Sequence, residues 1–420
     1  MKQYLTDAYH KLRETNIIAN FFNLSSIQLS NTLLLILIIP IITRIIGIEE
    51  FGIMMFASRF SQLAGTVVNY GTNQSGIRDI AVNLKYPKKL NTVFYNTLWI
   101  RVIIFFIFLF FLLGLQTFHI NYYSYLLLSI PIVLAEVLNP LFFFIGTEKL
   151  KVFNIANLVS NIVSILLLIL FIKGPRNSGW VNFILGGANV LTYFGLLIYA
   201  RSQFKISFYL PFKNELIKIG KDNFYLTVNN ISVQLQQSIM IFALTKWGNT
   251  SLLGAYSLCD RIIGQCRNLL ITISNAVYPN TVQLYQKSII LWNVYRKKTK
   301  YLVASIFFIG SILLFVLADF IIYTLTKEHN AIAVIFLRTM AIVPTISALN
   351  FLNVLDLLLK NNTIYIFRIA LILLIISLLT AFTLFNSGHL MFIGAFTLII
   401  ETSALIMYEY MIKKTATKNG

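Results

Sequence analysis

The sequence has few charged residues, and acidic residues are especially scarce. Only 12% of its 420 residues are Asp, Glu, Lys or Arg, whereas roughly 25% is typical of soluble domains. Hydrophobic residues make up 57% of the chain, and the mean hydropathy is +0.76. This composition excludes an ordinary soluble domain and indicates a polytopic membrane protein.

Residue types that hold metals and cofactors are also rare. The chain has two cysteines and four histidines. Cys259 and Cys266 share a predicted membrane helix and do not form the Cys-x-x-Cys motif of a metal or redox site. The histidines are scattered, and no glycine-rich phosphate-binding loop is present. We therefore expect no metal, no cofactor and no ATP-driven step.

Long apolar runs dominate the rest of the chain. A helix needs about 20 apolar residues to cross a hydrocarbon core ~30 Å thick, and about twelve stretches reach this length. They lie near residues 18–43, 51–73, 92–115, 123–145, 152–172, 179–200, 220–244, 251–283, 301–323, 331–353, 364–386 and 390–411. The sequence therefore predicts an all-α integral membrane protein with about twelve transmembrane helices.

Two stretches, Asn20–Arg59 and Asn223–Arg261, share a pattern that indicates an internal duplication. Both begin with Asn-Phe-aromatic and continue through a helix rich in Asn, Gln, Ser and Thr. Both end with a glycine and, seven residues later, an arginine. Three matching pairs are each 202 residues apart: Thr43 and Thr245, Gly52 and Gly254, Arg59 and Arg261. This constant offset predicts two pseudo-symmetric six-helix lobes, residues 1–205 and 206–420.

Basic residues are concentrated in the two tails and in every second loop between the predicted spans. Because positively charged loops stay on the cytoplasmic side, both termini are predicted to be cytoplasmic. The basic residues form short clusters between apolar spans, such as Arg296–Lys300, which suits contact with anionic lipids of the inner leaflet. We therefore expect membrane lipids as partners and no nucleic acid, although the net charge is +19.

Two predicted helices carry polar side chains along one face. The face of the seventh helix contains Asn223, Thr227, Asn230, Gln234 and Gln237. The first helix has a similar face that includes Asn23. Such residues must point towards other helices or water. Hydrogen bonding between helices explains one or two of them, whereas five in a row favour a water-filled cavity, with Asn23, Asn230 and Gln234 as candidate binding residues.

The segment Pro40–Ala81 carries a motif that has counterparts elsewhere. Its members are Pro40, Thr43, Arg44, Gly47, Glu49, Phe51, Gly52, Tyr70, Gly71, Arg78, Asp79, Ile80 and Ala81. Together with Asn139–Ile155, Leu253–Ile262 and Pro279, it resembles the Wzx-type polysaccharide flippases of the multidrug/oligosaccharidyl-lipid/polysaccharide exporter superfamily. The chain departs from that pattern at Phe144, where a glutamine is common, and at Asp260, where a small or polar residue is usual.

The resemblance implies a transporter rather than an enzyme. It implies that the protein carries undecaprenyl-diphosphate-linked oligosaccharide from the cytoplasmic to the periplasmic leaflet of the bacterial inner membrane, for O-antigen or capsule assembly. Other polysaccharide-assembly proteins are further candidate partners. Two six-helix lobes with the same orientation can expose a central cavity to each side in turn. The residues leave open whether H+, Na+ or the membrane potential drives the cycle.

Arginines outnumber acids within the predicted spans. A charge at mid-depth costs several kcal/mol if it is unpaired, so these side chains should face the interior of the bundle. Guanidinium groups suit a diphosphate because they bind phosphate through two parallel hydrogen bonds. The candidate anion-binding residues are Arg59, Arg261, Arg267 and Arg338. The alternative for each is a structural contact with an acid or with backbone carbonyls.

Three acids within the spans, Glu136, Asp260 and Glu401, are candidates for energy coupling. A carboxylate in an apolar site can hold a proton, which allows it to take up and release that proton during a transport cycle. The alternative is a structural ion pair with an arginine.

Two other classes of protein remain as alternatives. A cation-coupled multidrug antiporter of the same superfamily would share the fold and the duplication. It would need acidic cavity residues for organic cations, and the excess of arginine argues against it. A membrane-embedded polysaccharide polymerase or ligase would need a sizeable outer loop with catalytic residues, whereas the predicted outer loops are short.

Overall fold

The computed structural model of the chain describes residues 37–118, 120–360, 362–387 and 390–418. Within these ranges the regular structure is helical, without strands. Eight segments are long and apolar enough to cross a bilayer, which confirms an all-α, multi-pass membrane protein. Lipid favours helices because every backbone N–H and C=O group must find its partner within the spanning segment.

The helices are numbered in chain order. The first nine are α1 Leu37–Ile46, α2 Ile48–Asn69, α3 Thr72–Asn83, α4 Pro87–Gly114, α5 Tyr123–Leu128, α6 Ile130–Leu138, α7 Leu141–Gly146, α8 Leu150–Phe171 and α9 Trp180–Gln203. The others are α10 Lys213–Trp247, α11 Thr250–Lys287, α12 Ile289–Val316, α13 Ala318–Thr326, α14 Ala331–Met340, α15 Val343–Leu359, α16 Thr363–Asn386 and α17 Ala395–Lys418. Short 3₁₀ turns occupy Leu115–Phe118, Pro175–Asn177 and Leu390–Gly394.

The eight apolar spans overlap the predicted third to sixth and ninth to twelfth spans, and the ninth is shifted, at Ile289–Val316 against the predicted 301–323. The predicted second, seventh and eighth spans correspond to α2, α10 and α11. These have 22, 35 and 38 residues and are long enough to cross the core, but they are more polar than the other eight. Most of the predicted first span, including Asn23, lies outside the described residues.

Two of the spans contain broken helices, and proline contributes to the breaks. The span Tyr123–Gly146 is divided into α5, α6 and α7, with Pro131 at the start of α6 and Pro140 before α7. The span Ala331–Leu359 is divided into α14 and α15, with Pro344 at the start of α15. Proline has no N–H group, so a carbonyl one turn earlier needs another donor. Such breaks therefore require polar side chains within the membrane.

Contacts between residues group the chain into two compact units. Unit 1 contains Phe60–Phe171 and Gly179–Asn230, and unit 2 contains the described residues up to Arg59, together with Ile172–Ser178 and the chain from Ile231 onward. The division into lobes at residues 205 and 206 stays a prediction.

The core of unit 1 is rich in phenylalanine. Phe142, Phe143 and Phe144 of α7 are fully buried and pack in one cluster with Phe94 of α4. The rings of Phe94 and Phe143 meet edge to face with centroids 5.3 Å apart, an arrangement that aromatic pairs prefer. Phe144, the departure from the flippase pattern described above, is therefore a core residue here.

In unit 2, the two glycines related by the sequence duplication lie against each other. A Cβ atom placed on Gly52 of α2 would lie 2.5 Å from the backbone nitrogen of Gly254, and one placed on Gly254 of α11 would lie 2.1 Å from the carbonyl oxygen of Ile48. Small residues allow membrane helices to approach this closely. The contact fixes the start of α2 against the start of α11.

Candidate functional site

The contact between α2 and α11 brings an arginine and an aspartate together in unit 2. Arg59 lies two turns after Gly52, and Asp260 lies nearly two turns after Gly254. The Arg59 guanidinium donates through Nη2 to Oδ2 of Asp260 at 2.5 Å, and the two side chains are only 11% and 6% exposed. The pair neutralises two charges that would each be costly to bury alone.

A second ion pair lies two turns further along α11. Nε of Arg267 approaches Oε1 of Glu401, on α17, to 2.9 Å. Both side chains are about one-fifth exposed, at 23% and 19%, because both line cavities. Asp260 and Arg267 lie on the same face of α11, so each of the two ion pairs uses one residue from this face.

Two cavities in unit 2 adjoin the second pair, and Arg267 and Glu401 line both of them. The first cavity, about 180 Å³, is also lined by Asp260 and has a polar wall to which Tyr256 and Thr397 contribute. Their hydroxyl oxygens are 3.1 Å apart. The second cavity, about 290 Å³, has a mainly apolar wall that includes Leu270 and Phe351. A mainly apolar cavity and a more polar cavity therefore share one ion pair.

The polar face of α10 reaches the first cavity through glutamines. Gln236 and Gln237 line it, and Gln236 donates to the carbonyl of Ala370 at 2.6 Å. The predicted binding residues Asn230 and Gln234 are half-buried and do not line either cavity of unit 2. Nε2 of Gln234 is buried and has no hydrogen-bond partner in the described part of the chain. Their binding roles stay predictions, as does that of Asn23.

The structure places the other two candidate arginines differently. Arg261 is half-buried beside the first ion pair, where it is repelled by Arg59 and attracted by Asp260. It forms no ion pair with the residues that the structure describes. Arg338 on α14 is exposed, with its guanidinium 5.8 Å from the ring centroid of Phe315. Arg261 thus belongs to the charged cluster of unit 2, whereas Arg338 lies on an exposed helix face.

Glu136 lies in unit 1, next to the break between α6 and α7. Its carboxylate is 3.5 Å from Nδ2 of Asn139, and its nearest cationic partner is Arg101. A Cβ atom on Gly65 would lie 2.9 Å from Cγ of Glu136, so this carboxylate packs closely against α2. Glu136 belongs to unit 1, whereas Asp260 and Glu401 belong to unit 2.

Arg101 supplies hydrogen-bond donors to the carbonyls at this helix break, a role that the sequence did not indicate. Its guanidinium is fully buried. It donates to the carbonyls of Asn139 at 2.8 Å and Glu136 at 3.2 Å, and to Thr72 Oγ1 and Asn73 Oδ1 at 2.8 and 2.9 Å. It replaces the donors that the proline-interrupted helix lacks.

A further charged network lies in unit 2, and it was not predicted from the sequence. Asp356 on α15 is fully buried and accepts from Trp292 Nε1 and Lys360 Nζ, both at 2.7 Å. Arg296 lies 3.4 Å from the same carboxylate, and Glu409 pairs with Lys300 nearby in the network. The spacing of Asp356 and Lys360, one helical turn apart, was the available signal.

The fold that carries these cavities and ion pairs is similar to that of solved membrane transporters. A multidrug resistance MATE family transporter of the MOP superfamily, in an inward-facing conformation, matches with a TM-score of 0.76 and 13% identity, over 92% of this chain and 96% of that one. The lipid II flippase MurJ, in an inward closed conformation, matches with a TM-score of 0.73 and 14% identity, over 93% of this chain and 87% of that one. At these identities the likeness shows the fold alone.

Sequence similarity identifies the family. The model of the family described as "Polysaccharide biosynthesis protein" matches residues 17–285, and the chain belongs to this family. A protein of Escherichia coli (strain K12) named "Putative O-antigen transporter" is 23% identical over 264 residues, which are 62% of this chain and 63% of that protein. A Shigella dysenteriae protein of the same name is 23% identical over 61% of this chain and 65% of that protein. The match spans just under two thirds of these relatives, and it confirms the family predicted from the motifs.

Proposed function

We propose that the protein is a flippase that moves undecaprenyl-diphosphate-linked oligosaccharide from the cytoplasmic to the periplasmic leaflet of the bacterial inner membrane. The family, the names of the related proteins and the transporter fold support a role in O-antigen or capsule assembly. The observation that carries the proposal is the cluster of Arg59, Arg261 and Arg267 around Asp260 and Glu401 beside two cavities.

The diphosphate of the lipid carrier competes with the carboxylates for these arginines. A diphosphate offers more acceptor oxygens than a carboxylate, and guanidinium groups bind phosphate through two hydrogen bonds. Arg261 has no ion-pair partner among the described residues and provides the first contact, while Arg59 and Arg267 exchange their carboxylates for phosphate. The cluster is thus an anion site that is closed by its own acids when no substrate is bound.

This exchange supplies a route to energy coupling. When substrate takes an arginine, Asp260 or Glu401 is left unpaired in a site with little water, which is costly. Uptake of a proton or of Na+ removes the unpaired charge. Cation uptake and substrate binding would then favour each other, and release of the cation on the other side would return the arginine to its carboxylate. Glu136, beside Arg101, is a further coupling candidate in unit 1.

The same cluster argues against a multidrug antiporter. An organic cation needs a carboxylate that is free to pair with it, whereas Asp260 and Glu401 each face an arginine. Arg261 adds a further positive charge beside them. The cavities of unit 2 therefore suit an anionic headgroup better than a cation.

The decisive experiment is deletion of the gene in its source cells. Surface polysaccharide should be lost, and lipid-linked repeat units should accumulate on the cytoplasmic face, where a membrane-impermeant lectin reaches them only in inverted vesicles. Expression of the wild-type chain should restore export. Normal surface polysaccharide with an unchanged pool of lipid-linked precursor would exclude the proposed function.

The orientation is tested separately with reporter fusions. Fusions at Lys88, Lys213 and Lys297 should report a cytoplasmic position, and fusions at Asn177 and Asn249 a periplasmic one, because the basic loops alternate with the others. A periplasmic reporter at Lys213 would contradict both the orientation and the two-lobe arrangement.

A further inference from the structure

Unit 1 contains a polar cavity that the ion-pair mechanism does not use. It has a volume of about 330 Å³ and lies between α3, the first turns of α4 and the first turns of α10. The neighbouring segments carry Lys85, Lys88, Lys89 and Lys213. Basic residues of this kind mark the cytoplasmic side, so in the proposed orientation this cavity faces the compartment in which lipid-linked sugars are made.

The walls carry charges of both signs. Arg78 and Lys218 lie among three acids: Asp79, Glu215 and Asp222. Arg78 donates through Nε to Oδ1 of Asp79 at 2.9 Å, and this hydrogen bond raises the pKa of Arg78 above its ordinary value, with a further contribution from Asp222. A simple anion would be repelled by the three carboxylates, and a simple cation by the two basic groups. The mixture suits a neutral ligand with both donors and acceptors.

Part of the wall is fixed in place. Glu215 accepts hydrogen bonds from the Tyr209 hydroxyl at 3.0 Å and from the backbone N–H of Phe212 at 3.3 Å. The second contact satisfies a free N–H at the start of α10, as in a capping box. Asp222, by contrast, is exposed and is free to bond a ligand. The cavity thus has two carboxylates that already accept hydrogen bonds, Asp79 and Glu215, and one that is available, Asp222.

An unsatisfied polar group at the wall also indicates a ligand. Asn96 of α4 lines the cavity and is only 6% exposed, yet its Oδ1 has no hydrogen-bond partner among the described residues. A buried polar atom without a partner costs free energy. A ligand that donates a hydrogen bond at this position would remove that cost.

We propose that this cavity binds one sugar ring of the oligosaccharide on the cytoplasmic side, before translocation, an inference that rests on the proposed function. Every sugar hydroxyl both donates and accepts, so one ring can bond Asp222 and Asn96 as a donor and Arg78 and Lys218 as an acceptor. The volume lies at the lower end of the 300–1,000 Å³ typical of ligand pockets, which fits a single ring better than a whole repeat unit. The site would let the protein select its oligosaccharide independently of the diphosphate.

Sugar binding can be measured directly on the purified full-length protein. Saturation-transfer NMR would be recorded with glucose, galactose, N-acetylglucosamine and N-acetylgalactosamine, and with methyl phosphate and tetramethylammonium as anionic and cationic probes that carry C–H protons. We expect a signal from at least one sugar that Asp222→Asn weakens, and no signal from either ion that Asp222→Asn changes, because the arginine cluster of unit 2 can bind the anion independently. Asn96→Ala should weaken that binding about ten-fold through loss of a hydrogen bond, and Asp222→Asn by a similar factor because a neutral amide oxygen is a weaker acceptor than a carboxylate.

The control is Asp319→Asn, which alters an exposed carboxylate of α13 and should leave sugar binding unchanged. Asp222 is exposed, so Asp222→Asn tests the site even if Asn96→Ala fails to fold. Absence of any sugar signal from the wild type overturns the proposal, and so does a signal that survives Asp222→Asn at full strength. A signal from methyl phosphate or tetramethylammonium that Asp222→Asn changes would also overturn it.

Translocation of lipid-linked oligosaccharide in proteoliposomes separates this proposal from the proposed function. Translocation by the wild type without binding of any free sugar would overturn the cavity proposal alone. Binding of sugar without translocation would overturn the proposed function, since the NMR measurement does not use the lipid-linked substrate.

Discussion

Arg101 in unit 1 and Arg59 in unit 2 are both buried in membrane helices, but they are held in different ways. Arg101 donates from Nε, Nη1 and Nη2 to two carbonyls, a hydroxyl and an amide oxygen. Arg59 bonds the carboxylate of Asp260 through Nη2, and its Nε has no partner among the described residues. An arginine whose three nitrogens all donate hydrogen bonds supports the fold, whereas one with an unpartnered nitrogen can change partners.

The same distinction separates Arg101 from Arg267. Arg267 approaches Glu401 closely, but its buried Nε makes no aligned hydrogen bond. Both arginines of unit 2 also adjoin residues that line a cavity, whereas Arg101 is sealed against the ring of Phe142, with its guanidinium carbon 5.1 Å from the ring centroid. Substitutions should therefore affect stability in unit 1 and transport in unit 2.

The largest effect is expected for Arg101→Ala. The variant leaves the carbonyls of Glu136 and Asn139 without their donor, at about 1–3 kcal/mol for each unsatisfied group. We expect little protein in the membrane and a clearly lower unfolding temperature for what is purified. Arg368→Ala is the matched control, because Arg368 is exposed. Equal unfolding temperatures for the two variants would show that Arg101 does not hold the helix break.

The next effect in size is expected for Gly254→Ala, which separates α2 from α11 and thereby Arg59 from Asp260. Its Cβ atom would meet the backbone of Ile48, and overpacking of this kind typically costs about 1–3 kcal/mol. Transport should be lost and the unfolding temperature lowered. Gly264→Ala on the same helix has open space around its Cβ atom and should behave as wild type. Normal transport by Gly254→Ala would contradict the close contact.

A charge-balanced variant tests exchange of partners in the first ion pair. Arg59→Gln with Asp260→Asn removes both charges and leaves neither buried alone. Abundance should be near that of the wild type, while translocation falls roughly ten-fold or more, because a charge-assisted contact with phosphate is lost. The rate of translocation by Arg59→Lys should lie between the rates of the wild type and the double variant. Full activity of the double variant would place the anion site elsewhere.

Glu401→Gln should have a more selective effect on coupling. The variant keeps the shape of the side chain next to Arg267. Its neutral amide cannot take up and release a cation as the carboxylate of Glu401 can. In proteoliposomes, accumulation against a gradient should stop, whereas downhill translocation should continue at a reduced rate. The same result is expected for Asp260→Asn. Gradient-driven transport by both variants would leave Glu136 as the remaining coupling candidate.

The smallest effect is expected for Arg338→Ala. This arginine is exposed and contacts the ring of Phe315, and a cation–π contact at an exposed site is worth only about 0.5–1 kcal/mol. Both the rate of translocation and the unfolding temperature should stay close to the wild-type values. A steep loss of translocation at normal abundance would return Arg338 to the anion site predicted from the sequence.

The sequence by itself determined that the protein is helical and spans the membrane, because lipid leaves a run of about 20 apolar residues few other structures. It also singled out positions at which two helices meet, although it did not predict the contact itself. The duplication singled out Gly52, Gly254 and Arg59, and the structure brings the first two into contact and pairs the third with Asp260. A constant offset between repeats marks equivalent positions. The helices α2 and α11 meet at one such pair, Gly52 and Gly254.

Only the tertiary structure decided which charge meets which. Arg59, Arg101 and Arg338 look alike in the sequence, since each is a cation within an apolar run. One is paired with a carboxylate, one closes a helix break, and one is exposed. The buried Asp356 beside Trp292 was missed for the same reason. Hydropathy is local along the chain, whereas the partner of a buried charge is set by helices that are distant in sequence, and a buried charge is stable only where such partners converge.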